Sequence, residues 1–227
     1  MQADPESPVV AQGRSFDTDL PPSVLGDIQK GVMRSVYRGV PFLKSPFDIG
    51  IYLQLLSRIA PRSVIEIGTK HGGSALWFAD MLSAAGVTAP RVVSVDIKPI
   101  AKVKDPRILF LEGDAADLSP ALTPALLASL PRPWLVVEDS SHFHHHVLGT
   151  LWFFDGYLRP GDCIVVEDGV VAHLADPVYR QYENGPNRAV RDFLQDAGDA
   201  YRIDDSLCDF YGRNATYNPN GYLLRVS

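Results

Sequence analysis

Cysteine is scarce in this sequence, and long hydrophobic runs are missing from it. The 227 residues include two cysteines, Cys163 and Cys208, which are too few for a disulfide framework and favour a reducing, cytoplasmic setting. No apolar run approaches the ~20 residues that a membrane-spanning helix needs. The first ten residues, MQADPESPVV, contain neither a basic region nor an apolar core, so they do not predict a secretory signal.

Basic residues are outnumbered as well. Lys and Arg number 21 against 27 Asp and Glu, and the net charge of −6 argues against a nucleic-acid backbone as the main partner. The length suits one domain. Residues 1–36 are predicted to form an N-terminal arm, mobile or in contact with a partner, and a short helix; residues 37–227 are predicted to form the domain.

Two acidic strand ends dominate the stretch from Pro133 to Gly169. The apolar runs Leu135–Val137 and Ile164–Val166 are each followed at once by Glu-Asp, and short β-branched runs of this kind predict buried parallel strands. Between the two runs, apolar side chains recur at helical spacing: Val147, Leu151, Phe154 and Leu158. The stretch is therefore predicted to be a strand–helix–strand unit.

The topology of such a unit brings its two acidic ends together. A right-handed crossover returns the second strand parallel to the first, and open α/β sheets bind ligands at the edge where parallel strands end. Asp139, Glu167 and Asp168 are therefore expected to converge. Because like charges raise one another's pKa, three carboxylates need compensation, and a divalent cation with oxygen ligands supplies it most simply. The alternative interpretation is that these acids cap helices or lie in solvated loops.

Polar groups also follow the three strands that precede this unit. Residues 63–74 read as a strand, a glycine-containing turn and the start of a helix. A second strand, residues 91–97, carries Asp96 near its end, and a third, residues 108–111, is soon followed by Asp114. An acid after the second strand is typical of ribose recognition. The glycines do not match G-x-G-x-x-G, so the turn alone is weak evidence for nucleotide binding, and each acid could equally cap a helix or a loop.

Taken in order, these residues resemble the motifs of class I methyltransferases that use S-adenosylmethionine (SAM). The motifs are Glu66-Ile67-Gly68, Asp96, Gly113-Asp114-Ala115 and Leu158-Arg159-Pro160-Gly161. More narrowly, residues 36–226 resemble the cephalosporin hydroxylase and rhamnosyl O-methyltransferase family, which includes metal-dependent macrolide-sugar methyltransferases. The most specific pieces are Lys44-Ser45-Pro46-Phe47-Asp48, His71-Gly72-Gly73-Ser74, Asp139 with His142, and Val166-Glu167-Asp168.

The resemblance implies a fold and a reaction. The fold is a Rossmann-like, mostly parallel seven-stranded sheet with helices on both faces and an antiparallel closing strand. The reaction moves a methyl group from SAM to a hydroxyl of a sugar or a glycosylated natural product. The implied partners are this small-molecule acceptor and further copies of the chain.

The resemblance also assigns roles to residues. SAM is expected to bind along five of them: Glu66, Gly68, Ser74, Asp96 and Asp114. Mg²⁺ is expected at Asp139, Glu167 and Asp168, with Asp139 and His142 as the catalytic residues and His142 as the general base. These roles make chemical sense, because a divalent cation lowers the pKa of a coordinated hydroxyl and a neutral imidazole can then take the proton.

Three other interpretations compete with this one. Asp139, His142 and Asp168 mimic the iron site of a non-haem oxygenase that lacks one histidine. A small-molecule-binding protein without catalysis can use the same fold. Zinc at His142 and the histidines at 144–146 is disfavoured, because residues so close in sequence cannot all point one way.

Two loops are the candidates for contacting the acceptor. One is the irregular segment 169–185, which follows the second acidic strand end. The other is the segment 206–220, with its aromatic residues Phe210, Tyr211 and Tyr217.

Overall fold

The apolar runs of the sequence form strands at the centre of the molecule. A computed structural model describes residues 10–98 and 100–227. In this part of the chain the strands are, in order, β1 (Val10–Ala11), β2 (Arg14–Ser15), β3 (Val36–Tyr37), β4 (Val40–Pro41), β5 (Ser63–Ile67), β6 (Arg91–Asp96), β7 (Ile108–Glu112), β8 (Trp134–Glu138), β9 (Cys163–Val166), β10 (Tyr201–Ile203) and β11 (Tyr222–Arg225). The α-helices are α1 (Pro22–Val32), α2 (Pro46–Ile59), α3 (Gly73–Ala84), α4 (Pro124–Ser129), α5 (His144–Asp155), α6 (Gly185–Ala197) and α7 (Asp205–Cys208).

Seven of these strands form one mixed sheet in the order β10-β11-β9-β8-β5-β6-β7. Strand β5 lies between β6 and β8 and is parallel to both, and β8 is parallel to β9. Strand β11 runs antiparallel to both of its neighbours, β9 and β10. The predicted Rossmann-like sheet, with helices on both faces and an antiparallel closing strand, is confirmed.

The register places the ends of the parallel strands level with one another. Ile67, the last residue of β5, pairs with Val95 in β6 and with Glu138 in β8. Glu138 in turn pairs with Val166, the last residue of β9. The residues that follow these positions, Asp139 among them, therefore leave the sheet at one edge, as the crossover argument predicts.

Burial decreases from the middle of the sheet to its edge. Every residue of β5, β8 and β9 is buried, whereas the edge strand β7 has none that is fully buried. Helix α5 buries Val147, Leu151 and Phe154, which are on the apolar face that the sequence predicts. Central strands covered on both faces have this uninterrupted apolar character.

Helix α2 begins at a serine cap, and its first turn is hydrogen-bonded to the C-terminal segment of the domain. The Ser45 hydroxyl accepts the backbone N–H of Asp48 at 3.1 Å. The buried Asp48 carboxylate accepts hydrogen bonds from the hydroxyls of Thr216 and Tyr222 and from the backbone N–H of Tyr217. Asp48 therefore joins two distant parts of the chain in addition to lying in the first turn of α2.

The N-terminal segment packs against the end of the chain. Arg14 donates to Asp209 at 2.7 Å, and the Thr18 hydroxyl donates to the carbonyl of Asn214 at 2.7 Å. Residues 10–20 thus contact the C-terminal segment of the same chain, while residues 1–9 lie outside the described residues; whether this segment is a mobile arm stays a prediction.

Two further predictions concern the organisation of the whole chain. The boundary between an arm and a domain at residue 36 stays a prediction. Within residues 10–98 and 100–227, no helix is both long enough and apolar enough to cross a membrane.

Candidate active site

A cavity of about 600 Å³ lies at the edge where the parallel strands end. Seven of the predicted site residues line it: Gly68, Ser74, Asp96, Asp114, Asp139, His142 and Asp168. The other two, Glu66 and Glu167, are buried behind the cavity wall, with exposed fractions of 0% and 4%. The cavity has two halves, one around Asp96 and one around Asp139.

The first half is formed by the glycine-containing turn after β5. Gly68 has a φ of +107°, and a Cβ built there would lie 1.9 Å from the carbonyl oxygen of Asp139. A Cβ on Gly73 would lie 2.1 Å from the carbonyl oxygen of Pro41. Glycine is thus required here by close contacts within the protein itself.

Asp96 connects two turns at the entrance to this half. Its carboxylate accepts the backbone N–H of Lys70 at 2.7 Å and the backbone N–H of Lys98 at 2.9 Å. Asp114, after β7, accepts the N–H of Ala116 at 2.9 Å. These acids are held by main-chain donors only a few residues away from the strand ends.

Glu66 lies within the sheet, below the glycine turn. The Ser94 hydroxyl donates to Glu66 Oε2 at 2.5 Å, and Thr69 is hydrogen-bonded to Ser94 at 2.6 Å. Among the described residues, Glu66 Oε1 has no hydrogen-bond partner. Burial raises the pKa of Glu66, and the nearby ammonium group of Lys44 partly offsets that rise.

The second half contains a group of potential metal ligands. Asp139, His142 and Asp168 each offer one ligand atom, and these atoms lie within 4.8 Å of one another. It is the one such group in the described parts of the chain. The Nε2 atom of His142 lies 3.4 Å from Asp168 Oδ2, and the buried Nδ1 atom has no partner among the described groups.

The backbone around this group adopts an unusual conformation. His142 and Asp168 have φ values of +61° and +57°, in the left-handed region that side chains other than glycine rarely adopt. Surrounding contacts hold both residues there. A Cβ on Gly185 would lie 2.2 Å from the His142 carbonyl oxygen, and the N–H of Asp168 donates to Asn218 at 3.1 Å. Such conformations concentrate at functional sites.

Glu167 is engaged by side chains that the sequence argument did not include. Its Oε1 accepts the hydroxyl of Tyr52, and its Oε2 accepts the ammonium group of Lys44. Lys44 Nζ also donates to Asp139 Oδ2 at 2.6 Å. Lys44 and Tyr52 lie far from Glu167 in sequence, and only the Lys44–Asp48 motif marks either of them as unusual.

In the Asp139 half of the cavity, the crowding of acidic side chains shifts their pKa values. Burial, together with repulsion from Asp139 and Asp168, raises the pKa of Glu167 well above its usual range, although Lys44 opposes the rise. Burial also raises the pKa of Asp168 to about 6, with His142 acting against it and Asp139 adding to it. A positive charge near these carboxylates would favour their ionised forms.

The neighbouring histidines each have partners of their own. His144 is bonded to Asp192 at 2.8 Å, and His146 Nδ1 is bonded to the Ser141 hydroxyl at 2.5 Å. His145 is stacked on Phe143.

The outer wall of the second half is apolar. The segment 169–185 folds into two 3-10 turns, Gly169–Ala172 and Pro177–Tyr182, and lines the cavity as predicted. Of the aromatic residues in the second candidate loop, Tyr217 lines the cavity, whereas Phe210 and Tyr211 are about half exposed and lie elsewhere. Apolar wall residues come from three segments: Val32, Met33, Leu43, Val170, Val171, Leu174 and Val178.

Comparison with known families gives a match over most of the chain. A family model described as Rhamnosyl O-methyltransferase/CmcI matches residues 29–226. Rhamnosyl O-methyltransferase of Mycobacterium bovis (strain BCG / Pasteur 1173P2) is 30% identical over 200 residues, which cover 85% of this chain and 78% of that protein. Rhamnosyl O-methyltransferase of Mycobacterium leprae (strain TN) is 30% identical over 203 residues, covering 84% of this chain and 83% of that protein.

Solved structures share the fold. A CmcI structure with Mg and SAM has a TM-score of 0.64 and 21% sequence identity, over 100% of this chain and 93% of that one. An O-methyltransferase from Bacillus cereus in complex with S-adenosylhomocysteine (SAH) has a TM-score of 0.50 and 20% identity, over 79% of this chain and 80% of that one.

Proposed function

The chain belongs to the rhamnosyl O-methyltransferase/CmcI family of SAM-dependent methyltransferases, and from that premise we propose a Mg²⁺-dependent reaction on a glycosylated acceptor. The methyl group moves from SAM to a hydroxyl of a sugar, and His142 is the general base. The observation that carries the proposal is the single cavity that joins the Asp96 half to the group of Asp139, His142 and Asp168.

The first half of the cavity fits SAM. Bound SAM supplies an activated methyl group on a sulfonium, which needs positioning in line with the acceptor oxygen. Asp96 and Asp114 present carboxylates at the cavity edge where nucleoside hydroxyls and amino groups can donate to them. Ser74 and the turn at Gly68 line the same wall, while Glu66 acts from behind it by holding the turn through Ser94 and Thr69.

The second half fits a hard divalent cation. Such an ion would lower the pKa of an acceptor hydroxyl and hold its oxygen toward the methyl donor. Asp139 and Asp168 reach the cavity and would hold it, and Glu167 completes the proposed set from the adjacent buried position. Oxygen ligands favour Mg²⁺ over softer metals, and the similar CmcI structure that contains Mg supports the choice.

His142 is the proposed general base for the acceptor proton. It lies on the cavity wall beside Asp139 and Asp168, and its ring packs edge-on against Tyr182 at 5.3 Å. Asp168, 3.4 Å from Nε2, stabilises the imidazolium that forms when the proton is taken.

The apolar outer wall narrows the acceptor class. A free sugar would meet few polar partners along Leu43, Val170 and Leu174, whereas an alkyl or aromatic aglycone would bury apolar surface there. Tyr217 and Gln29, each with a buried oxygen that has no partner among the described groups, offer polar contacts within that wall. We therefore favour a glycosylated natural product that carries an apolar portion. Self-association and a cytoplasmic location remain predictions.

Chelation tests the proposal directly. SAH formation with alkyl and aryl rhamnosides should fall to background in excess chelator and return with Mg²⁺. SAH itself should bind with nearly the same affinity in both conditions, because the ion serves the acceptor. Full turnover in chelator would remove the metal from the mechanism. Oxygen consumption with Fe²⁺, giving a hydroxylated product, would instead favour the iron hydroxylase.

A further inference from the structure

Lys44 is a buried cation to which the proposed mechanism gives no role. It lies in the loop between β4 and α2, and its side chain is 3% exposed. Its Nζ atom donates to Asp139 Oδ2 at 2.6 Å and to Glu167 Oε2. An ammonium group at this depth requires anionic partners, because burial without them is strongly unfavourable.

The bonds that Lys44 makes use oxygens that a metal ion would need. Lys44 and Tyr52 together engage both carboxylate oxygens of Glu167. The ligand atoms that cluster within 4.8 Å come from Asp139, His142 and Asp168, and Glu167 is not among them. A carboxylate lone pair that accepts a hydrogen bond from an ammonium group is not available to a metal ion at the same time.

The charges of these groups suit a divalent ion. Asp139, Glu167 and Asp168 contribute three negative charges when ionised, and Lys44 contributes one positive charge, which leaves −2. Without Lys44 the same three carboxylates would carry −3 in a buried setting. Lys44 thus partly neutralises the acids before any metal arrives.

We propose that Lys44 is the resident cation of the metal centre. In the metal-free enzyme its ammonium group bridges Asp139 and Glu167, and a divalent cation binds by displacing it from at least one of them. Lys44 thereby keeps the acids in place without metal and lowers the affinity for the ion that replaces it. This inference rests on the proposed metal dependence.

If Lys44 only oriented the metal ligands, its removal would change the metal affinity in the opposite direction. Residues that orient metal ligands strengthen binding, and their loss typically weakens it by about 10–100-fold. A competing cation weakens binding, so removal of its charge should strengthen it. The sign of the change in metal affinity therefore separates the two roles.

The test measures Mg²⁺ affinity by calorimetry after chelation, at constant pH and salt, in the full-length protein. Lys44→Gln deletes the charge but keeps a hydrogen-bond donor, and Lys44→Met deletes both. Each should bind Mg²⁺ more tightly than the wild type by roughly tenfold or more, since a unit charge a few ångströms from the ion is repulsive. Each should also gain more in Tm on addition of Mg²⁺ than the wild type does.

Two variants serve as matched controls. Lys44→Arg keeps the positive charge and should retain the wild-type response to Mg²⁺. Tyr52→Phe removes the other hydrogen bond to Glu167 without changing any charge, so its Mg²⁺ affinity should stay within about threefold of the wild type.

The outcomes are distinguishable from failure of the proposed function. If the wild type binds neither Mg²⁺ nor Mn²⁺ and turns over in chelator, the metal-dependent reaction itself is wrong. If the wild type binds Mg²⁺ but Lys44→Gln and Lys44→Met bind it equally or more weakly, the resident-cation role is overturned. A Lys44→Met chain that folds only with Mg²⁺ supports the proposal, and one that unfolds in both conditions leaves Lys44→Gln to decide.

Discussion

The two halves of the cavity hold their acids by different means. Around Asp96, carboxylates accept hydrogen bonds from nearby backbone N–H groups, such as that of Lys70 at 2.7 Å. Around Asp139, carboxylates crowd together, and a side chain from a distant segment, Lys44, offsets their charge. In the first arrangement Asp96 and Asp114 each have main-chain donors, whereas in the second the carboxylates outnumber the one ammonium group that they share.

From this difference we expect the Asp96 half to position a ligand and the Asp139 half to take part in the chemistry. Acids held by the backbone form a fixed surface that can recognise a ligand without changing their own state. Crowded acids beside a histidine can exchange one cation for another and can accommodate a proton that moves. Substitutions in the two halves should therefore affect different measurements.

The largest effect is expected at His142. His142→Ala should lower the single-turnover rate of methyl transfer by about 10²–10⁴-fold, because the acceptor loses its general base. SAH and Mg²⁺ affinities, measured by calorimetry, should change little. His144→Ala and His145→Ala are the matched controls, since neither residue lines the cavity, and both should keep the wild-type rate per folded molecule.

Two other outcomes for His142→Ala would contradict its role as the general base. If His142→Ala retains near-wild-type turnover, the base is another group. If the variant instead loses Mg²⁺ affinity, His142 is a metal ligand together with Asp139 and Asp168, and the base must be sought elsewhere.

A smaller effect is expected at Asp96. Asp96→Ala should weaken SAH binding by about 1.5–3 kcal/mol, or roughly 10–150-fold, through loss of hydrogen bonds to a charged acceptor. Mg²⁺ affinity should be unaffected, because Asp96 belongs to the other half. Asp117→Ala, which changes an exposed acid outside the cavity, is the control. Equal losses of SAH and Mg²⁺ binding would show that the halves are not independent.

The smallest effect concerns an acid that lies outside both halves. Asp105 accepts hydrogen bonds from Arg107, which lowers the pKa of Asp105 to about 2. Because that pKa is below the unfolded value of ~3.9, the pair stabilises the fold above about pH 4, and the contribution is lost as pH falls toward 2.

Urea unfolding at pH 7 and pH 3 checks this expectation. Asp105→Asn should be less stable than the wild type by about 1 kcal/mol at pH 7, a value discounted for solvent screening, and the difference should shrink at pH 3. Asp27→Asn, at a pair whose carboxylate is 79% exposed, should show no comparable difference. A gap for Asp105→Asn that does not change with pH would show that the carboxylate charge contributes nothing.

Features that arise from neighbouring residues could be predicted from the sequence. The parallel strands, the acids at their ends and the buried face of α5 follow from local apolar runs, with boundaries shifted by one to three residues. Helix α5, for example, ends at Asp155, whereas the apolar spacing extends to Leu158. Strand ends of one sheet share an edge, so convergence of Asp139 and Asp168 also followed from topology.

Contacts between distant segments could not be predicted in the same way. Tyr52 lies on the buried face of α2, where an aromatic residue is expected for packing alone, and nothing local indicates that its hydroxyl reaches Glu167. The packing of residues 10–20 depends on the burial of Ala11 and Phe16 and on polar contacts such as that of Arg14 with Asp209, which composition cannot reveal. The need for glycine at Gly68 likewise comes from a distant residue, because a Cβ there would clash with the carbonyl oxygen of Asp139.

The packing of the N-terminal segment against the C-terminal segment bears on the design of chimaeras between related proteins. The Thr18 hydroxyl donates to the carbonyl of Asn214, three residues before Tyr217, and α1, which follows Thr18, contributes Val32 to the same wall. The segments around Thr18 and Asn214 therefore contact one another beside the apolar wall of the cavity, where we propose that the acceptor binds. A chimaera designed to change the substrate range should exchange both segments together, because each one alone would lack the contacts that fix its conformation.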